Sequence, residues 1–414
     1  MNGKHQARYW GIILSLIVLG IAGFTWANYR FASQDFISRD FYPAWLGTRL
    51  FLTRGWSPYS QDTTQAIQAE TGDQPTAGKS QALFVYPFYS VFVFGPFAAL
   101  SDFQIARMLW MSALEISLLL LAGFSLALSR WRLPSVLLFL VVLFSVLWYY
   151  SVRPVINGDI SVLVAFLAAA ALLALRSGND TLAGVLFAFS TLKPQMVVLL
   201  IGFAMLWTLS QRRWGLTAGF FSTLALLVAA TSLLVPDWLL RNAQQLFLYR
   251  KVATFSTPGA LFMRSLPGVG SQMGWALAGI ASILLVWEWW LALRQRDFRR
   301  FYWTACLTLV LTPLTGIPTS VDNLVLLLPA LVLVFASWEE RWAHAGRWLV
   351  LVLLFLFLTG FWWYFVAQPQ TFQIEAPFFF FVLPLTLLAS LYWVRWWAIN
   401  PPRLPLERLV QQVH

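Results

Sequence analysis

Long apolar runs recur along the chain, at lengths that fit a bilayer better than a water-facing core. They lie at 10–27, 84–100, 106–128, 134–150, 159–175, 181–209, 215–235, 272–293, 301–316, 323–338, 347–366 and 377–393. Roughly 20 apolar residues cross the hydrocarbon as a helix. The pattern therefore predicts an all-α, polytopic membrane protein with about twelve transmembrane helices, counting 181–209 once. The first run, Trp10 to Ala27, follows Lys4 and Arg8, and Thr25-Trp26-Ala27 offers no small-residue cleavage site. It reads as a retained helix whose N-terminus is cytoplasmic.

Basic residues set the sidedness. Arg212 and Arg213, the group Arg294, Arg296, Arg299 and Arg300, the pair Arg341 and Arg347, and the tail 395–414 share one side. By the positive-inside rule that side is the cytoplasm, and both termini lie there. Two hydrophilic segments, 30–82 and 236–271, are then extracytoplasmic. The middle has two solutions. If 84–100 crosses fully, Arg130 and Arg132 face outward, against the rule. If it only dips into the membrane and 181–209 crosses twice, Arg130, Arg132 and Arg176 return inside. Both solutions leave the two outer segments outside. The whole chain, 1–414, reads as a single transmembrane domain without internal repeats.

Composition agrees with the pattern and narrows the class. Of 414 residues, 59% are hydrophobic and only 11% charged, against about a quarter charged in soluble proteins. Such a chain lacks the polar surface of a soluble enzyme or a nucleic-acid-binding domain. The net charge of +11 needs no acidic partner, because cytoplasmic loops collect Lys and Arg. One cysteine, Cys306, excludes an internal disulfide and a cysteine-rich metal site. The three histidines share no ligand spacing, and no nucleotide or Ser-His-Asp signature occurs.

The first outer segment carries the first candidate chemistry. From Asp40 to about Thr53, apolar Phe41, Ala44, Trp45, Phe51 and Leu52 recur at helical spacing, which predicts an amphipathic helix in the headgroup region. Gly55 stops it, Ser57-Pro58 turns, and Asp62-Thr63-Thr64-Gln65 resembles a capping box that opens a second helix. Thr71 to Ser80 reads as a mobile loop. Asp35 and Asp40 sit just beyond the first span. Asp40 has two readings: an N-cap, or a general base at the membrane surface. Arg39 and Arg49 suit the phosphate of a lipid-linked donor.

Lys193 lies inside an apolar run and is followed by Pro194 and Gln195. Pro194 breaks or kinks the helix. An ammonium at that depth costs roughly 2.5–3.5 kcal/mol, so it faces a cavity or a counter-charge. The structural alternative is an ion pair with Glu115, Asp159 or Glu288. Asn157-Gly158-Asp159, after Arg153-Pro154, reads either as a plain loop or as a broken turn near the same cavity. The second outer loop sets Arg241, Arg250, Lys251 and Arg264 against Asp237, and Asp322 adds another outer carboxylate. Outward-facing basic residues suit anionic lipid or phosphate; the bland alternative is solvated charge on an interfacial helix.

These motifs, in this order, resemble glycosyltransferase family 87 among the C-type glycosyltransferases that use polyprenyl-phosphate sugars. The first is Asp40-Phe41-Tyr42 followed by Gly55-Trp56-Ser57-Pro58-Tyr59. The second is Phe84-Val85-Tyr86-Pro87 followed by Gly95-Pro96-Phe97. The third is Asn157-Gly158-Asp159 followed by Gly184 and Lys193-Pro194. Asp159 stands where the family usually has Gln. The resemblance covers roughly 35–210. It implies a C-type glycosyltransferase fold, transfer of a mannose-like hexose or a pentose to a lipid, glycan or protein acceptor, and inversion by single displacement. Asp40 is then the base, with Asp35 the substitute. Lys193 holds the donor phosphate together with an arginine or lysine drawn from Arg39, Arg49, Arg153, Arg250 and Lys251. Tyr42, Tyr59, Tyr86, Asn157, Asp159 and Gln195 are the expected substrate-binding residues. No nucleotide cofactor is implied, and so few carboxylates demand no metal.

Two other classes stay in view: a transporter or flippase of a lipid-linked intermediate, and a non-catalytic scaffold of envelope-polymer assembly. Sugar turnover by the purified protein separates both from an enzyme. Topology is separately testable. Cysteines placed at Ser60 and Ser256 are expected to react with an impermeant thiol reagent from outside, and native Cys306 is expected to stay unlabelled. Labelling seen only after lysis would reverse the map.

Overall fold

Helices account for the regular structure of the chain, and the reason is solvent: in an apolar surround a backbone satisfies its own N–H and C=O groups most directly as a helix. The computed structural model describes residues 20, 22–33, 40–71, 82–252, 256–367 and 377–400. Among them no strand forms, and one isolated antiparallel bridge joins Ser256 to Thr319. Most of the first apolar run, the stretch after Thr71 through Ser80, and the tail after Asn400 lie outside the described residues.

Among the described residues six helices have the length and apolarity to cross a membrane. They are Phe103–Ser129 (α5), Gly215–Leu234 (α11), Gly270–Leu293 (α14), the continuous Val321–Trp342 whose α-helical part is Leu328–Trp342 (α16), His344–Ala367 (α17) and Pro377–Ile399 (α18). Ser135–Leu147 (α6) and Tyr149–Asn157 (α7), bent by 44° at their junction, make a seventh if taken as one broken span. This is short of the expected twelve, because several apolar runs are not continuous helices. The run 84–100 folds as a 3₁₀ turn at Phe88–Ser90 and an eight-residue helix, Val91–Ala98 (α4). Eight residues rise only about 12 Å, far less than the ~30 Å hydrocarbon core. The run 181–209 divides into Asp180–Ser190 (α9) and Pro194–Ser210 (α10). Pro194 opens α10, where its missing N–H costs nothing. Ser161–Arg176 (α8) and Phe298–Leu311 (α15) have 16 and 14 residues. A 3₁₀ turn at Thr312–Thr315 ends the α15 run.

The chain divides into two compact units. The first comprises Met1–Ser117, Val155–Ile160 and Thr231–Ala253. It holds residues 22–32 (α1), Phe41–Arg54 (α2), Gln61–Thr71 (α3), α4, the first half of α5, and Trp238–Val252 (α12). Within 30–82 two helices form, α2 and α3. Gly55 ends α2 with φ of 67°, a left-handed conformation that glycine adopts without strain. The start of α3 differs from the expected capping box: Ser60 Oγ accepts from the N–H of Thr63, and the helix opens at Gln61. The expected apolar side of α2 does not lie open. Phe41, Ala44 and Trp45 are buried, and α2 packs against α4. Helix α12 docks on residues 59–86 through amides. Asn242 Nδ2 donates to the carbonyls of Val85 and Tyr86 at 3.2 and 3.1 Å, and Gln245 Nε2 donates to Tyr59 O and Thr64 Oγ1.

The second unit comprises Leu118–Pro154, Ser161–Ala230 and Thr254–His414. Its core is α15 and Val321–Trp342, both buried almost throughout. A helix apolar on every side is an interior helix. Charges here are matched in kind. Glu288 accepts from Arg300 and Arg395, each at 2.9 Å. Glu339 accepts from Arg347 and from the indole of Trp131, and Asp180 pairs with Arg213. Pro258–Ser265 (α13) packs on α14. Ser256 exchanges backbone hydrogen bonds with Thr319 at 3.0 and 3.2 Å and is 2% exposed. A cysteine there is shielded from reagent, so half-buried Ser60 is the better labelling position. Cys306 is fully buried, as its apolar run implied.

Glycine sets one close approach. A Cβ on Gly184 of α9 would fall on the carbonyl of Leu216 and the N–H of Phe220, and one on Gly219 of α11 would fall on the carbonyl of Thr181. These neighbours are backbone and cannot rotate aside. Gly184→Val is therefore expected to destabilise the protein by roughly 1–3 kcal/mol or more. Gly202→Ala, on α10 with open space around it, is expected to be neutral or to stabilise by about 0.5–1 kcal/mol. Thermal unfolding in detergent measures both.

Candidate active site

The site in the first unit starts from an anomaly at a helix end. Asp40 occupies the N-cap of α2, yet its side chain makes no capping hydrogen bond. An aspartate at that position normally accepts from the N–H of the second or third residue. Here the backbone N–H of Asp40 donates to the carbonyl of Asn157 at 3.4 Å. Its carboxylate oxygen lies within 4.8 Å of that of Asp159, which is 3% exposed. Two carboxylates at that range repel unless a proton or a cation relieves them. They offer one oxygen each to a cation. A hard divalent ion takes six or more oxygens, so the pair is a fraction of such a shell.

The turn that carries Asp159 follows the C-terminus of α7. Gly158 adopts φ of 70°, and its carbonyl accepts from the indole N–H of Trp110 at 2.8 Å. The carbonyl of Ile156 accepts from Arg107 Nη2 at 3.5 Å. Trp110 stacks on Phe41, with ring centroids 5.5 Å apart and planes at 7°. Arg107, Trp110 and Phe41 are all buried. Sequence reasoning did not single out Arg107 or Trp110. An arginine inside an otherwise apolar span was the available signal.

Several expected site residues of this unit hold the fold instead of standing open. The hydroxyl of Tyr59 donates to the carbonyl of Tyr86 at 2.6 Å, and both residues are buried. Burial pushes the Tyr59 phenol far up from its ordinary value. Tyr42 is buried against Phe103, with ring centroids 4.9 Å apart. Arg49 Nη1 donates to the carbonyls of Ala98 and Leu100, both at 3.0 Å, and so caps the end of α4. Asp35 and Arg39 lie outside the described residues. Arg250 and Lys251 fall in the last turn of α12, and their side chains lie outside the described residues too.

The second unit holds the other polar cluster. Lys193 stands at the N-cap of α10, and its ammonium donates to Ser161 Oγ at 3.0 Å. Ser161 Oγ contacts Asn323 Oδ1 at 3.2 Å, and Asn323 Nδ2 donates to Thr319 Oγ1 at 2.7 Å. Of the three carboxylates weighed as ion-pair partners for Lys193, two are engaged elsewhere: Glu288 by Arg300 and Arg395, and Glu115 by Asn28 Nδ2 at 2.8 Å. Arg153 pairs with Asp322 at 3.1 Å and donates to the hydroxyl of Tyr149 at 3.3 Å. Gln195 is half-buried in the first turn of α10. Ser161 and Asn323 gave no signal in the sequence, because each is an ordinary polar residue until the fold brings them together.

Chemically, the first unit supplies a carboxylate that does not cap its own helix. The second supplies an ammonium at a helix N-terminus, where free N–H groups and the macrodipole favour an anion. The model of glycosyltransferase family 87 matches residues 84–313. That span includes Tyr86, Asn157, Asp159 and Lys193; Asp40 and Tyr59 precede it. It reaches about a hundred residues beyond the expected limit near 210. No curated protein and no solved structure matches the chain. With more than half of its length in the match, and with apolar helices long enough to cross a membrane, the chain belongs to glycosyltransferase family 87.

Proposed function

We propose that this membrane glycosyltransferase moves a hexose, mannose-like, or a pentose from a polyprenyl-phosphate sugar to a lipid, glycan or protein acceptor. Asp40 is the base. The observation that carries this reading is a carboxylate at a helix N-cap that leaves the cap unmade while facing a second, buried carboxylate. In the reaction Asp40 takes the proton of the acceptor hydroxyl. The acceptor oxygen forms a bond to the anomeric carbon as the bond from that carbon to the phosphate oxygen breaks. The configuration inverts, and polyprenyl phosphate leaves with the electron pair. Lys193 and the N-terminus of α10 stabilise the departing charge. The basic clusters support an inner-membrane protein with cytoplasmic termini and an extracytoplasmic site.

Asp40→Asn keeps the shape of the side chain and loses its ability to take a proton. Single-turnover sugar transfer is expected to fall by about 10²–10⁴, with donor binding nearly unchanged. Asp35→Asn in matched membranes is the control. Activity retained by Asp40→Asn and lost in Asp35→Asn moves the base five residues upstream; activity retained in both removes catalysis from this loop.

For Lys193→Met the expectation is a different signature: normal abundance, with the donor KM raised about tenfold or more through loss of a charge-assisted contact. Full turnover at low donor concentration would assign the lysine a purely structural role. Absence of any sugar turnover by the purified wild-type protein would favour a transporter or scaffold.

A further inference from the structure

The geometry points to Trp110, assisted by Arg107, as the positioning residue that sets Asp159 against Asp40. This rests on the reading of Asp40 as the base. The argument begins with the end of α7. The last carbonyls of a helix have no partner within it, and three in succession here are met from the first unit. Arg107 Nη2 takes Ile156, the backbone N–H of Asp40 takes Asn157, and Trp110 Nε1 takes Gly158. Arg107 and Trp110 are three residues apart on α5 and so lie on one face. Asp159 is the next residue after these carbonyls, and its carboxylate lies within 4.8 Å of that of Asp40.

Trp110 grips both sides of this arrangement with different parts of one side chain. Its ring lies flat on Phe41, the residue after Asp40, and its N–H holds Gly158, the residue before Asp159. The ring is wedged further by Phe94 and Phe97, each with its centroid 5.2 Å away. The indole therefore has little freedom, and the hydrogen bond transmits that rigidity to the turn. A misplacement of about 1 Å at a reacting group costs on the order of 10² in rate. Trp110 acts by fixing the carboxylate pair and touches neither substrate.

Trp110→Phe separates the two grips, since it keeps a ring on Phe41 and removes the N–H. The expected result is a fall in kcat of about 10- to 100-fold, with donor KM within about twofold and a somewhat lowered melting temperature, since the buried carbonyl of Gly158 loses its donor. In the Asp40→Asn background the same substitution is expected to cause no further loss, because the residue acts through that carboxylate. Full kcat in folded Trp110→Phe overturns the inference, as does an additive loss in the double variant. If Trp110→Phe does not accumulate, Arg107→Lys carries the test. It keeps the charge and gives up the guanidinium, and the same kcat-only loss is expected at smaller size; unchanged kcat overturns the inference. The two readings fail separately. Asp40→Asn inactive beside a fully active Trp110→Phe removes only the positioning role, whereas an active Asp40→Asn removes the base itself.

Discussion

A polar group enclosed by apolar side chains must find its partner within the protein, and the rest of this structure depends on that constraint. In water an unmet carbonyl or carboxylate is solvated at little cost; at membrane depth it costs several kcal/mol. The response is visible at several buried carboxylates and amides. Glu288 draws two guanidinium groups, Glu339 draws an arginine and an indole, and Asn28 divides its amide hydrogens between Ser112 and Glu115. The same demand acts on the C-terminal end of α7, where three carbonyls in a row recruit donors. The candidate site is built from this satisfaction of helix ends.

That origin explains why the expected site residues separate into two kinds. Tyr59 belongs to a motif that resembles the family's and Arg49 is a candidate for the donor phosphate, yet the polar atoms of both donate to backbone carbonyls. They stiffen the platform on which Asp40 stands. Asp40 differs in kind: it occupies a capping position and does not cap. Its carboxylate oxygen lies within 4.8 Å of that of Asp159.

What could be read from the sequence follows from the range of the forces involved. Local chemistry was legible: Gly55 stops α2 by its left-handed φ, Pro194 starts α10, and residues 40–71 form two helices, α2 and α3. The Asn157-Gly158-Asp159 turn was visible as a break. Its neighbours were not, because Trp110 lies 48 residues from Gly158 and Ser161 lies 162 from Asn323. Among the described residues fewer helices than the expected twelve reach spanning length, for a related reason. Apolarity over a window measures exclusion from water, whether by lipid or by protein. Phe298–Leu311 is apolar because other helices enclose it, and 84–100 is apolar although its helix is one of only eight residues. Neither burial nor helix continuity is contained in hydropathy.

The ion cluster at Glu288 has a consequence for the order in which the protein is made. Arg300 follows Glu288 by 12 residues, so the two charges leave the ribosome almost together and can neutralise one another as α14 and α15 assemble. Arg395 follows by 107 residues and arrives with α18, the last described helix. The second guanidinium thus joins a pair that is already balanced, and it brings the end of the chain back to a helix inserted long before. Helix α18 thus ties α14 to α15 and α16, packing on the last two and pairing with a carboxylate of the first.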